Sequence, residues 1–308
     1  MKKVFWIFLF AISFLFVGCD SECKLEYTNA QGEKEQMIVS KTQDAETIAQ
    51  VLGVLVENAN QSDDFEAVKM NLKMNVDFAA KDSNGNSGSL TMNANSVFEL
   101  NFVNYDFYAS ANFSFALKDL DTTTTMKANG KVYKESQNIY LDASYQEGSS
   151  KSVVLKYKMT LWQLLDMIEE IAGPDDIFPE LGDVLPDLST DEAVLEAIKE
   201  YNVAITSTSN STITFKIELP IDESLPELKA NLYIVWDTKI GSLKSMKIED
   251  DTILKTLVIG KNEGVKVSKS KLLFELNFNY GNFKITTLND SEKENFSTLP
   301  EFSFPSYQ

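Results

Sequence analysis

The strongest structural signal in this sequence is the alternation of apolar and polar residues over long stretches. Between residues 68 and 78 every second residue is apolar, and lysine, asparagine or aspartate lies between them. Residues 105–117 and 272–280 show nearly the same pattern. Successive side chains of a β-strand point to opposite faces of a sheet, so this period of two predicts long, half-buried strands.

The order of the predicted elements indicates the architecture. Apolar residues within 44–60 recur at spacings of three and four, which predicts a helix, and Asp44 and Glu46 lie at its positively polarised N-terminus. Several strands follow, and Asn84-Gly85 predicts a tight turn between the first two. Because short connections join consecutive strands, we expect antiparallel pairing. The apolar stripe of the helix consists of Ile48, Val51, Leu52, Leu55, Val56 and Ala59.

The middle of the chain departs from the strand pattern. Residues 160–163 and 189–192 both match the capping box of a helix N-terminus, so we expect a helix to begin at each. The first would run through Ile171, and an acidic loop over 174–187 would separate the two. Strand patterns then resume, and we also interpret residues 253–259 as a strand.

The composition excludes several classes of function. The chain of 308 residues has no histidine, and all 28 basic residues are lysine, so a histidine base, the commonest zinc ligand and the bidentate arginine fork are all missing. The formal net charge of −18 disfavours binding to nucleic acid. We therefore expect neither an enzyme nor a nucleic-acid-binding protein, and we predict no cofactor.

One polar motif resembles a calcium loop. Asp82, Asn84 and Asn86 have the spacing of the first ligands, but Ser87 and Asn93 replace the glycine and the glutamate that such a loop needs. A hairpin turn explains this motif better. The acidic loop in the middle of the chain could hold a weakly bound calcium ion, but we expect it to be solvated. We predict no metal site.

The N-terminus has the features of a bacterial lipoprotein signal. Two lysines precede an apolar run shorter than the about twenty residues that span a bilayer as a helix. The run ends in Leu15 to Cys19, which resembles a lipobox with Gly18 at the small position. This resemblance implies cleavage after residue 18 and diacylation of Cys19, which would anchor the protein on the extracytoplasmic face of the cell membrane. An ordinary secretory signal with a chance cysteine is the alternative.

We expect the rest of the chain to form a lipidated tether (19–29), a single domain (30–288) and a C-terminal tail (289–308). Neither a repeat nor a linker divides the domain. Cys23 would then be a lone thiol in the tether, because acylation of Cys19 would leave it no disulfide partner. No histidine exists to activate it. The sequence does not predict an oligomeric state.

The element order resembles that of the LolA-like superfamily of lipid and lipoprotein carriers, which includes the LppX and LprG lipoproteins. The resemblance covers residues 30–288 and rests on patterning, not on an invariant motif. It implies an α+β fold, in which a curved antiparallel β-sheet forms an unclosed half-barrel with helices packed on its concave face. Acyl chains would bind between the sheet and this helical lid.

Candidate ligand-binding residues follow from side-chain size and pattern. Small residues in the middle of the strand at 105–117 leave room across the sheet, flexible thioethers adapt to irregular apolar shapes, and the helix that begins at residue 160 is apolar on more than one side. Each feature also fits ordinary core packing. The candidates are Met70, Met74, Met92, Phe107, Ala109, Ala111, Phe113, Trp162, Leu165 and Ile168.

Three functions are compatible with these observations. The first is a membrane-anchored lipoprotein that holds a lipid or another apolar ligand non-covalently. The second is a surface-interaction or scaffold lipoprotein without a ligand cavity, in which Phe302, Phe304 and Tyr307 of the tail could contact a partner. The third is a polysaccharide-active enzyme that uses paired carboxylates, although no pair can be assigned among 46 acidic residues.

Overall fold

The computed structural model of the protein describes residues 23–28, 33–59, 65–120, 122–160, 162–163, 191–221, 228–259 and 264–298. Strands account for 61% of the structure and helices for 15%, so the fold is mostly β. The helices are α1 (Ala45–Ala59), α2 (Asp191–Glu200), α3 (Ile253–Ile259) and α4 (Asp290–Lys293). The strands are β1 (Cys23–Thr28), β2 (Lys34–Val39), β3 (Ala67–Lys81), β4 (Ser87–Asn101), β5 (Phe107–Asp119), β6 (Thr122–Glu135), β7 (Asn138–Glu147), β8 (Val153–Thr160), β9 (Ala204–Thr208), β10 (Thr212–Pro220), β11 (Lys229–Asp237), β12 (Ser242–Asp250), β13 (Lys266–Gly281) and β14 (Ser297–Thr298).

Twelve strands form one sheet in the order β14-β8-β7-β6-β5-β4-β3-β13-β12-β11-β10-β9, and β1 and β2 form a separate hairpin. The sheet does not close. Neighbouring strands are antiparallel throughout except for β14, which runs parallel to β8. The long pairing of β13 with β3 joins the two meanders of the chain into one surface.

The pairing register gives the sheet one apolar and one polar face. Met74 pairs with Phe274 on one side and Ala94 on the other, and Ala94 pairs in turn with Phe113. Directly paired residues lie on the same face, so the apolar positions of successive strands coincide. We call this the apolar face, and the opposite side, which carries mostly lysine, asparagine, serine and threonine in β3 to β6, the polar face.

One end of the apolar face carries the main core of the protein. Helices α1 and α2 and the β1–β2 hairpin pack there against β9, β10 and β11. A smaller cluster forms where Ile253 of α3 contacts Leu228 and Ala230. The buried residues of the main cluster are Cys23, Leu25, Val39, Ile48, Val51, Val54, Leu55, Ile198, Ile205, Ile213 and Phe215.

The predicted N-terminal helix is confirmed, although its buried stripe differs in part from the prediction. Helix α1 occupies residues 45–59, and the Asp44 carboxylate accepts a hydrogen bond from the Thr47 amide at 2.9 Å, as a capping side chain does. Ile48, Val51 and Leu55 are buried, as expected. The side chain of Val56, which we placed in the stripe, is 59% exposed.

The predicted turn between the first two long strands is also confirmed. Gly85 has a φ of 91°, a backbone conformation that favours glycine, and β3 and β4 pair on either side of it. The Asp82 carboxylate accepts hydrogen bonds from the backbone amides of Asn84 and Asn86 at 2.9 and 2.8 Å. Those bonds stabilise the turn that we preferred to a calcium loop.

The expectation of an α+β fold with helices packed on a concave face is wrong. The described helices are a minor part of a mostly β structure, and none of them is packed as a lid. They pack at one end of the apolar face, around β9 to β13. An apolar stripe along a strand shows that one face of the sheet is apolar. It does not specify which helix, strand or ligand covers that face.

Residues 253–259, which we interpreted as a strand, form α3. Their run of β-branched and apolar residues favours a strand by composition. However, the Asp250 carboxylate accepts a hydrogen bond from the Ile253 amide at 2.8 Å and caps the helix N-terminus. The capping side chain and the burial of Ile253 therefore override the local propensity.

Residues 23–28, which we expected to belong to the tether, form β1. The side chain of Cys23 has no exposed surface, and its Sγ lies 3.8 Å from Thr238 Oγ1. Burial raises the pKa of the Cys23 thiol, although the contact with Thr238 opposes the shift and Asp237 adds to it. Part of the segment that we expected to be a tether is therefore a paired strand whose first residue is buried.

The C-terminal segment, part of which we expected to be a tail, crosses the polar face. The Thr286 amide donates a hydrogen bond to Glu99 at 2.7 Å, and the Leu288 amide donates one to Glu135 at 2.8 Å. Lys293 forms an ion pair with Glu135 at 2.7 Å. The segment ends in β14, which pairs with β8.

Glu99 is a charged group that folding buries. Its side chain is 6% exposed, and its carboxylate pairs with the Lys69 ammonium group at 2.8 Å. Burial would raise the pKa of Glu99, but the hydrogen bonds from Lys69 and Thr286 outweigh burial and place the pKa below its usual value. A group whose pKa is lower in the folded state stabilises the fold above its unfolded pKa, and loses that effect as pH falls through the folded pKa.

We therefore expect Glu99→Gln to lower the free energy of unfolding by roughly 1–3 kcal/mol at pH 7, because the substitution removes a buried charged partner. The difference from wild type should shrink as pH falls below about 4.5. Urea unfolding at several pH values measures both effects. Glu249→Gln is the matched control, because the pair of Glu249 with Lys247 is exposed and solvent screens it, so its loss should have a much smaller effect. Equal losses in the free energy of unfolding for the two substitutions would show that burial of the Glu99 carboxylate does not strengthen its contribution.

Candidate functional site

The apolar face is open to solvent at the end of the sheet that includes β5, β7 and β8. Leu117 on β5 is 42% exposed, and Tyr145 on β7 is 43% exposed. On the edge strand β8, Val153 and Leu155 are 55% and 42% exposed. Exposed apolar side chains that form a contiguous surface are typical of binding sites.

A row of small residues crosses this open part of the apolar face. Ser96 pairs with Ala111, Ala111 with Gly130, and Gly130 with Ala143. We call these four residues on β4 to β7 the small-residue trough. A Cβ atom placed on Gly130 would meet no heavy atom of the described residues within 4 Å. The space above the centre of the trough is therefore free of described side chains.

Larger side chains border the trough along one side, where a cavity of about 320 Å³ opens to solvent. They come from the adjacent row of paired residues, which runs from Phe113 through Ala128 and Tyr145 to Val153. Within the described residues, the cavity is lined by Ala111, Phe113, Ala128, Asn129, Gly130, Ala143, Ser144, Tyr145, Val153 and Leu155.

The chemistry of this cavity is that of apolar contact. Its described lining contains no carboxylate, ammonium or thiol group. Asn129 and Ser144 alternate with the trough residues and turn their side chains to the polar face, where they hydrogen-bond each other at 3.3 Å. The Tyr145 hydroxyl lies 3.4 Å from Glu147 Oε2, and burial, followed by this carboxylate, raises the pKa of Tyr145. Such a lining can bury a hydrocarbon chain.

A second hollow of about 400 Å³ lies farther along the same face, at the hairpin ends of β3–β4 and β5–β6. Its apolar part consists of Phe78, Leu90 and Leu117, which pair directly across three strands. Lys81 and Lys118 contribute to its lining, so this hollow is more polar than the trough.

The structure places seven of the predicted ligand-binding residues on the apolar face. The register aligns Met74 with Phe113 through Ala94, and Met70 with Ala109 through Phe98. Of these seven, Ala111 and Phe113 line the 320 Å³ cavity. The residues on this face are Met70, Met74, Met92, Phe107, Ala109, Ala111 and Phe113.

The candidates from the expected lid do not join this group. The hydrogen bonds between Thr160 and Gln163 confirm the predicted capping box, since each backbone amide donates to the other's side chain, at 2.8 and 3.3 Å. Trp162 is 75% exposed and does not line the described cavity. Leu165 and Ile168 lie outside the described residues, and so does Cys19.

Sequence reasoning missed Gly130, Ala143, Tyr145, Val153 and Leu155. All five lie in the series of strands that we expected to follow the N-terminal helix, but we assigned no site residue beyond the strand at 105–117 within that series. A search for small residues at mid-strand positions could have identified Gly130 and Ala143. Their position beside Ala111, however, depends on the strand register, which a single sequence does not provide.

The described part of the chain has no arranged metal-ligand group and no membrane-spanning helix. Within it, no group of three or more His, Cys, Asp or Glu side chains is arranged to hold a metal ion. None of the described helices is long and apolar enough to cross a membrane.

Comparison with known proteins gives little information about relatives. No protein-family model matches the sequence. No curated protein matches it. Among solved structures, the chain is similar to the β-barrel-like protein of the domain of unknown function DUF1849 from Brucella abortus, at 8% identity and a TM-score of 0.24. The match covers 70% of this chain and 99% of that protein.

Because the space above Gly130 is open, we expect Gly130→Val to be tolerated. Valine favours a strand, so the free energy of unfolding should stay within about 1 kcal/mol of wild type or rise. Ile213→Ala, in the fully buried core, should instead cost about 2–5 kcal/mol. Urea unfolding of both variants provides the comparison. A loss at Gly130 as large as that at Ile213 would show that the trough is packed.

Proposed function

We propose that this protein is a membrane-anchored extracytoplasmic lipoprotein that binds a lipid acyl chain or another apolar ligand non-covalently on the apolar face. The observation that carries the proposal is the open, apolar small-residue trough with its adjoining cavity of about 320 Å³. Cavities that bind small molecules typically measure about 300–1,000 Å³ and are lined mainly by apolar side chains. The trough therefore has the size and chemistry of a small ligand site.

Hydrophobic burial would provide the binding free energy. Each methylene group that leaves water contributes about 0.8 kcal/mol when it is fully buried. The small side chains of Ala111, Gly130 and Ala143 would allow a chain to approach the backbone, while Phe113 and Tyr145 would contact its flank. No covalent step is needed. A helical lid is not part of this proposal.

Diacylation of Cys19 would provide the membrane anchor. The chain carries a formal net charge of −18, so the body as a whole is repelled from anionic lipid headgroups. Attachment through two acyl chains does not depend on surface charge. The lipobox-like segment and the acidic body are therefore compatible with each other.

A second candidate function is protein binding through the edge strand β8. Val153, Val154 and Leu155 are 55%, 58% and 42% exposed, and they lie on both faces of the strand. Among the described strands, β14 pairs only with Tyr157 and Lys158 of β8. An exposed apolar edge can accept an added strand from a partner. This observation favours a surface-interaction lipoprotein over a ligand carrier.

Filling the trough tests the ligand proposal. We expect the double variant Ala109→Phe, Ala111→Phe to bind a fluorescent long-chain fatty acid at least about tenfold more weakly than wild type, a loss of about 1.4 kcal/mol. The protein should be produced without residues 1–18 and with Cys19→Ala, so that any lipid mass in native mass spectrometry is bound non-covalently. Wild-type protein purified in this form should carry such a mass.

Asn112→Phe is the matched control, because Asn112 is an exposed neighbour of Ala111 on the polar face of the same strand. It adds the same aromatic ring without filling the trough, so fatty-acid affinity should not change. Equal affinity of the double variant and wild type would overturn the proposed site. A wild-type protein that neither carries nor binds lipid would favour the edge-strand alternative.

A further inference from the structure

The first described strand lies very close in sequence to the proposed lipid anchor. Cys23 is the first residue of β1 and is completely buried, so its position is fixed by the core. Only three residues separate it from Cys19 in the sequence. An extended chain spans at most about 3.3–3.6 Å per residue, so the Cα atoms of these two cysteines lie within about 14 Å of each other.

The β1–β2 hairpin presents a distinctive outer face beside this point. Ile38 pairs directly with Lys24, next to the pair formed by Cys23 and Val39. Because side chains alternate, Cys23 and Val39 face the core, while Lys24 and Ile38 face outward. The Ile38 side chain is 59% exposed although it is large and apolar.

The charge of this outer face differs from that of the whole chain. It carries Lys24 and Lys34, together with Glu26, whose carboxylate accepts a hydrogen bond from Gln36 at 3.2 Å. Its formal charge is therefore positive, whereas that of the whole chain is −18. An anionic bilayer would attract this face and repel most of the rest of the body.

We infer that the outer face of the β1–β2 hairpin lies on the anionic headgroups of the membrane that holds the acylated Cys19, with Ile38 inserted at the interface. The inference rests on the anchor in the proposed function. The short connection keeps the hairpin within reach of the bilayer, and the lysines pair with lipid phosphates. An exposed aliphatic side chain next to such cations is typical of surfaces that bind at a membrane interface.

Site-directed spin labelling of the mature protein, cleaved after residue 18 and acylated at Cys19, tests this inference. A nitroxide is attached to Ile38→Cys, and the protein is reconstituted in vesicles of phosphatidylglycerol and phosphatidylethanolamine. Val154→Cys is the matched control, because Val154 is similarly exposed at 58% but lies on the polar face of the edge strand β8, away from the trough. Cys23 is buried and should not react with the label in the folded protein.

We expect the label at residue 38 to lose collisions with a water-soluble nickel complex, and to gain collisions with oxygen, relative to the label at residue 154. Lys24→Glu together with Lys34→Glu should restore water accessibility at residue 38. Equal accessibility of the two labels, in protein whose mass shows a diacylated Cys19, would overturn the membrane-docked face. It would leave ligand binding in the trough intact, because that is measured without acylation. An unmodified Cys19 would overturn both the anchor and the docked face.

Discussion

The structure depends on a pairing register that stays in phase across a very wide sheet. Each strand alternates apolar and polar residues, and a slip of one residue in any strand would exchange its two faces. A β-bulge between β11 and β12 shows how the apolar residues stay on one face. Between β11 and β12 the register shifts so that Trp236 pairs with Leu243, whereas Val235 pairs with Ser245. This bulge keeps Leu243 opposite an apolar residue even though the alternation along β12 changes.

The two faces of the sheet are covered by different segments of the chain. On the apolar face, α1, α2, α3 and the β1–β2 hairpin bury the end formed by β9 to β13. On the polar face, Leu288 of the C-terminal segment packs against Tyr133 and Tyr140. The buried carboxylate of Glu99 accepts a hydrogen bond from a backbone amide of the same segment. The main core therefore lies at the β9 to β11 end of the apolar face.

The sequence allowed the long strands, α1 and the turn at Gly85 to be predicted, because periodicity and turn chemistry are local. It did not allow the fold class to be predicted, since the elements that cover an apolar face are determined by tertiary packing. Cys23 illustrates the same limit. Its polar neighbours suggested a tether, but its pairing with Val39 buries it. For the candidate site, Ala111 and Phe113 were found because they lie on one strand, whereas Gly130 and Ala143 required knowledge of the register.

The openness of the trough also bears on the kind of binding that is proposed. A chain lying on an exposed face keeps one side in water, so each methylene group would contribute only part of the about 0.8 kcal/mol that full burial provides. Affinity would be lower than in an enclosed cavity, and because affinity differences lie mostly in the dissociation rate, ligand release would be faster. A site with these properties suits a protein that passes an apolar molecule on, more than one that stores it. Anchoring close to a bilayer would provide both a source and an acceptor for such a molecule.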